Sequence, residues 1–185
     1  MEAYAPVSAV DAFAGSRGCL ESVITALTDP ANAGQTHAEL EDYLTTRARE
    51  LMRTLLQEHL DLRAEREERR EAVCGVDGVR RTHVERGHGR GLITVFGEVR
   101  VTRQAYRGRG VRNVYPAGRE LNLPREAHSH GLRRLAALES ARGSFAGAGT
   151  AIERACGVRV GHRQVEQPAQ AASVDIDAFY AARTL

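Results

Sequence analysis

The chain has 185 residues, 42% of them hydrophobic and 5% aromatic, with no Trp and with 26 Lys plus Arg against 24 Asp plus Glu. That length admits one domain or two small ones, and the core must rest on Leu, Val and Ala. No run approaches the ~18 apolar residues of a bilayer-crossing helix. The start "MEAYAPVSAV" has neither the cationic nor the apolar region of a signal peptide, so a cytoplasmic protein with no membrane partner is expected.

The net charge of +2 conceals a segregation. Residues 1–79 carry 8 Arg against 15 acids, residues 80–134 carry 13 against 4, and residues 135–185 carry 5 against 5. A local surplus of 13 − 4 = +9 attracts phosphates far better than the overall balance suggests. The plainer alternative is a solvated basic face that pairs with the acidic N-terminal part. Cys19, Cys74 and Cys156 are odd in number, and no C-x-x-C occurs. A disulfide framework or structural zinc is therefore not expected, and Cys74, His83 and His88 match no ligand spacing. Neither a metal nor another cofactor is called for.

Residues 1–35 read as a short helix and linker. "CLESVITAL" puts Leu20, Val23, Ile24 and Leu27 at helical spacing before Asp29-Pro30 stops it. Residues 36–72 read as one long amphipathic helix. Thr36 and Glu39 form a capping box, Leu40, Tyr43, Leu44, Leu51, Leu55 and Leu62 make a stripe, and "DLRAEREERREAV" continues it with alternating charge. Such a helix spans about 54 Å, long enough that pairing with a second copy competes with an ordinary core role.

Over residues 78–116 the period changes to two, which predicts a basic antiparallel β-meander. "VRRTHVERG" is its first strand, and "RGLITVF" and "VRVTRQAYR" form a hairpin about a Gly97-Glu98 turn. One face then holds Leu92, Thr94, Phe96, Val99 and Val101, and the other Ile93, Val95, Arg100, Thr102, Gln104 and Tyr106. The exit "YRGRGVRN" reads as a cationic ribbon whose glycines let the backbone approach a phosphate chain. Residues 128–183 read as helical. Ser129 or His130 starts one helix, Ser144 caps a second that Gly157 ends, and "GHRQVEQ" begins a third. The outline is that of a helix-turn-helix, with His162, Arg163 and Gln164 where base edges are read. The fold expected is α+β: a long N-terminal helix, a small antiparallel β-meander and a C-terminal helix-turn-helix-like helical bundle.

Several motifs in one order, "LLQEHLDLRA", "VCGVDGVRR", "GHGRGLITVFGEVRVTRQAYR", "LNLP", "SHGLRRLAALESARGSF" and "GHRQVE", resemble the N-terminal region of ISKra-type insertion-sequence transposases from about residue 36 to 180. The resemblance implies a region that recognises element ends in double-stranded DNA, ahead of an RNase H-like domain with acidic metal ligands. That domain would begin near "DIDAFYAARTL", and Asp175 and Asp177 share one short segment, so no catalytic residue is carried over.

The expected protein is thus a non-enzymatic, truncated or decayed DNA-binding fragment. Arg90, Arg100, Arg103, Arg107, Arg109, Arg112, Arg133 and Arg134 would meet phosphate, and His162, Arg163 and Gln164 the bases. The alternatives are an assembly module that pairs with itself or a full-length transposase, and a remnant without function. Three departures from the family pattern suggest decay: Gly147 and Gly149 inside the second helix, Pro168 inside the third, and His128 where an aromatic residue is expected.

Overall fold

A computed structural model describes residues 11–173, without the side chains of Asp11, His162, Pro168, Ala169 and 171–173. Asp175 and Asp177 lie outside the described residues. The fold is α+β, with a long N-terminal helix, small antiparallel sheets and a C-terminal helical bundle. No helix among the described residues is long and apolar enough to cross a membrane. The described residues up to Gly91 together with Val99–Leu123 form one compact unit. Leu92–Glu98 with the described residues from Pro124 onward form the other.

In the first unit, α1 (Ala14–Thr28) packs along α2 (His37–Glu65). The Glu58 carboxylate reaches from α2 to the free amides of Gly15, at 2.7 Å, and Ser16, at 3.1 Å, at the start of α1. A Cβ at position 15 would meet Glu58 Oε1, so a larger residue there would have to displace this carboxylate. The capping box forms as expected: Thr36 Oγ1 accepts the Glu39 amide, and the Glu39 carboxylate accepts that of Thr36.

The helix ends at Glu65 and does not reach residue 72. Its continuation is claimed by residues of a later strand: Glu67 accepts the Gln104 backbone amide at 2.7 Å, and the Arg70 amide donates to the Tyr106 hydroxyl at 2.6 Å. A continuing helix would have engaged the Arg70 amide in its own ladder.

Five strands follow. β1 (Val73–Cys74) and β2 (Arg80–Arg81) form a two-stranded antiparallel ribbon, in register Val73 with Arg81 and Cys74 with Arg80. β3 (His83–Thr94), β4 (Gly97–Gly108) and β5 (Val111–Val114) form a second sheet in that order. The expected meander is corrected at three points. "HVERG" and "RGLIT" belong to one strand, which absorbs Gly87 at φ 77°. The turn is Val95–Phe96, two residues earlier than Gly97-Glu98, and Gly97 spends its φ of 120° on opening β4. Thr94 helps fix that turn, its hydroxyl donating to the Gly97 carbonyl at 2.8 Å and accepting the Phe96 amide at 3.1 Å. Phe96 is consequently exposed, while Leu92, Thr94, Val99 and Val101 of the same expected face are buried. Finally, the exit ribbon is itself a hairpin: Gly110 at φ 72° turns the chain into β5, which pairs with β4. The short helix α3 (Pro116–Glu120) closes this unit.

In the second unit, α4 (His130–Ser140), α5 (Phe145–Cys156) and α6 (His162–Ser173) enclose Leu132, Ala136, Ala148, Ile152, Val158 and Val165. Ser129 and Ser144 cap α4 and α5, and Gly157 ends α5 at φ 72°. α6 runs through Pro168, which removes one ladder bond without ending the helix. Gly149 has a packing reason: a Cβ there would come within 3.2 Å of the Val160 carbonyl in the connection to α6. At His128 the contact is made by the backbone. It forms a parallel bridge with Ile93, flanked by bonds from the Ile93 amide to the Ala127 carbonyl (2.7 Å) and the Ser129 amide to the Ile93 carbonyl (2.8 Å). That bridge sets Ile93 and Val95 against the helical core.

Candidate nucleic-acid interface

The residues expected to meet DNA divide between the units. Arg90, Arg100, Arg103, Arg107, Arg109 and Arg112 belong to the first, and Arg133, Arg134, His162, Arg163 and Gln164 to the second.

Within the first unit the arginines differ sharply in engagement. Arg109 occupies the β4–β5 turn and Arg112 the start of β5; both are exposed and outside every ion pair among the described residues. Arg100 is exposed too, its guanidinium lying over Gly89 and its backbone amide and carbonyl bonded to the Gln57 side chain at 2.8 and 3.0 Å. That pairing fastens α2 along an edge of β4 that β5 does not cover.

Arg107, by contrast, is paired with Glu85, whose carboxylate also lies 3.0 Å from His88 Nε2. His88 and Arg107 together hold Glu85 below the usual carboxylate range. Arg103 is half-buried, with its guanidinium 4.1 Å from the centre of the Tyr115 ring, a cation–π geometry. Burial first, and then the charge of nearby Arg90, pushes Arg103 down from the ordinary arginine value. The adjoining open cleft of about 460 Å³ carries both signs, with Arg86 and Arg103 facing Glu65 and Glu67. It is not a dedicated anion pocket. Arg107 and Arg103 are therefore structural at least in part, and their cations are less available than the sequence suggests.

One arginine outside the expected set organises this end of the unit. Arg81 is 2% exposed and bonded through all three nitrogens: its Nη1 and Nη2 fork onto Asp77 at 3.0 and 2.6 Å, Nη1 also reaches the Val79 carbonyl at 2.7 Å, and Nε the Arg112 carbonyl at 2.9 Å. The fork pulls the Asp77 carboxyl down to about 2. Arg81 thus ties the β1–β2 loop to the strand that bears Arg112. The only sequence signal for it is an Asp four residues before an Arg across a glycine turn, "DGVRR", too common to single out.

In the second unit, Arg133 pairs with Glu126 at 3.2 Å, whereas Arg134 and Arg163 are exposed and absent from the ion pairs of the described residues. Gln164 is exposed, but its side-chain oxygen caps α6 by accepting the Gly161 amide at 3.1 Å. Its NH2 group remains free to donate to other partners. For His162, backbone position alone is described, at the first turn of α6. No group of three or more His, Cys, Asp or Glu side chains among the described residues is placed to hold a metal.

Exposed arginines outside the ion pairs of the described residues thus stand in each unit: Arg109 and Arg112 in the first, Arg134 and Arg163 in the second. No family model matches the chain, and comparisons with curated proteins and with solved structures give no match.

Proposed function

We propose that this chain is the duplex-DNA-binding, N-terminal region of an insertion-sequence transposase of the ISKra type, with no catalytic role of its own. The observation that carries the reading is the state of Arg109 and Arg112, exposed, outside the ion pairs of the described residues, and mounted on a tight hairpin. Guanidinium groups held this way lose little conformational freedom when they fork onto phosphate oxygens. The succession α5, connection, α6 serves as a helix-turn-helix, with Arg163 and the Gln164 amide facing base edges. The substrate is double-stranded DNA at element ends.

Fluorescence anisotropy with a labelled duplex tests this. Raising salt from about 50 to about 200 mM should weaken binding at least tenfold. A salt-independent affinity, or no binding at the lower salt, would be incompatible with the proposal.

A second reading, assembly with another copy or with a full-length transposase, draws on Leu20, Ile24 and Leu27, which lie at helical spacing on α1 and are each about 45% exposed. Light scattering that returns a monomer at micromolar concentration would exclude the homodimer.

A further inference from the structure

The β1–β2 loop, Gly75 to Val79, carries an apolar side chain at its tip. Val76 is 98% exposed, far more than any other large hydrophobic residue described. A single exposed valine is ordinary. What lies beneath it is not. The loop is closed by bonds from the Gly75 amide to the Val79 carbonyl (3.3 Å), the Gly78 amide to the Gly75 carbonyl (3.1 Å) and the Val79 amide to Asp77 (3.1 Å). Gly78 adopts φ 70°, and the buried Arg81 fork grips both Asp77 and Val79. A Cβ at Gly75 would collide with Arg81 and Asp77, so the glycine is required for the clamp to close. A buried guanidinium bonded through all three nitrogens holds one short loop and the strand beside it, and the loop presents Val76 to solvent.

The elements tied to the loop are cationic. Arg80 is exposed next to the clamp, and Arg81 is bonded to the carbonyl of Arg112 and packed over Gly108, one residue before Arg109. Arg80, Arg109 and Arg112 are all outside the ion pairs of the described residues, while the nearby anion, Asp77, is neutralised by the fork. An apolar knob on a stiff loop, tied through Arg81 to the strand that bears Arg112, fits a polyanion that has apolar surface behind its charges. Duplex DNA has that construction: phosphates line the minor groove, and base steps open to apolar wedges.

We propose that Val76 is a wedge that enters the minor groove of duplex DNA, with Arg80, Arg109 and Arg112 on the flanking phosphates. The inference rests on the DNA-binding reading above and adds a mode of contact to it. The wedge partly unstacks a base step, and the Arg81–Asp77 clamp is a positioning device that keeps the loop from yielding under that load.

The test uses duplexes that carry the fluorescent base aminopurine, with binding followed in parallel by anisotropy at about 50 mM salt. Saturating wild-type protein should raise aminopurine fluorescence by about twofold or more as the step unstacks. Val76→Ala, at a position too exposed to affect folding, should abolish the rise on duplex it has bound; Val76→Phe should keep or enlarge it. Asp77→Ala should lose the rise with Val76 intact. If the wild type binds duplex without a rise, or Val76→Ala gives the same rise, the wedge is refuted while DNA binding stands. That result would make Val76 a knob for a protein partner. If no duplex binds, the wedge and the DNA-binding reading fail together.

Discussion

The Glu67 carboxylate accepts the backbone amide of Gln104 at 2.7 Å, while the Gln104 side chain donates to the Glu67 carbonyl at 2.6 Å. This reciprocal pair, with the bond from the Arg70 amide to Tyr106, stops α2 at Glu65 although the sequence beyond it suits a helix. Removal of either acceptor leaves a partly buried amide without its partner. Glu67→Ala and Tyr106→Phe should each cost about 1–2 kcal/mol in urea unfolding. Helical circular dichroism should rise slightly as α2 lengthens into the freed segment. A fall in helicity that parallels the drop in stability would contradict this account of where the helix ends.

The two glycines of α5 should respond to Ala with different sign. At Gly147 the nearest atom to a new Cβ is Ser144 Oγ at 3.4 Å, so Gly147→Ala should stabilise by about 0.5–1 kcal/mol through helix propensity. At Gly149 the Val160 carbonyl stands at 3.2 Å, and Gly149→Ala should lose that gain and destabilise the second unit. Thermal melts of the two variants compare them directly. Equal stabilisation by both would mean that Gly149 is not held by packing.

His128 is 8% exposed, and its Nε2 is buried without a hydrogen-bond partner. Desolvation, and then the charge of Arg133, push its pKa below the ordinary value of 6.5, while Glu126 opposes the shift. The folded state therefore binds the proton more weakly than the unfolded state does. Stability should be complete above about pH 6.5 and decline as pH falls below it. His128→Phe should flatten that decline between about pH 6.5 and pH 5 in thermal melts. An unchanged profile would assign the decline to other groups.

The Asp77 pKa is shifted down by the bond from Arg81, opposite in direction to the shift of an unpaired carboxyl in an apolar site. Its folded pKa of about 2 lies below the ordinary 3.8, so its contribution is present above about pH 4 and is lost as pH falls toward 2. Asp77→Asn should lower the melting temperature at neutral pH, and the gap from wild type should close in acid. A gap that stays constant down to pH 2 would show that the ion pair with Arg81 does not supply the difference.

Features that depend on a few adjacent residues are legible in the sequence. The Thr36–Glu39 capping box, the Ser129 and Ser144 caps and the Gly157 stop all stand where local hydrogen-bond chemistry puts them. The features that sequence reasoning misplaces depend on residues far along the chain. α2 ends because of Gln104 and Tyr106, about forty residues on. Gly97 suggests a turn residue because positive φ suits a turn, yet the same φ also serves the first residue after one. β5 is hidden in "RGRGVRN", where the glycines that suggest a pliant ribbon instead make a tight turn at Gly110. The basic segment itself is plain from composition. Which arginines remain available is not, because Glu85, Glu126 and Tyr115 are brought to Arg107, Arg133 and Arg103 only by the fold.

The central claim is that Arg109 and Arg112 meet the phosphates of duplex DNA, and the salt dependence of binding measures it most directly. The logarithm of affinity should fall linearly with the logarithm of salt concentration for the wild type. In the Arg109→Ala, Arg112→Ala double variant the slope should be shallower by about 2, one for each phosphate no longer neutralised. Identical slopes for the two proteins would show that these arginines do not touch the DNA backbone.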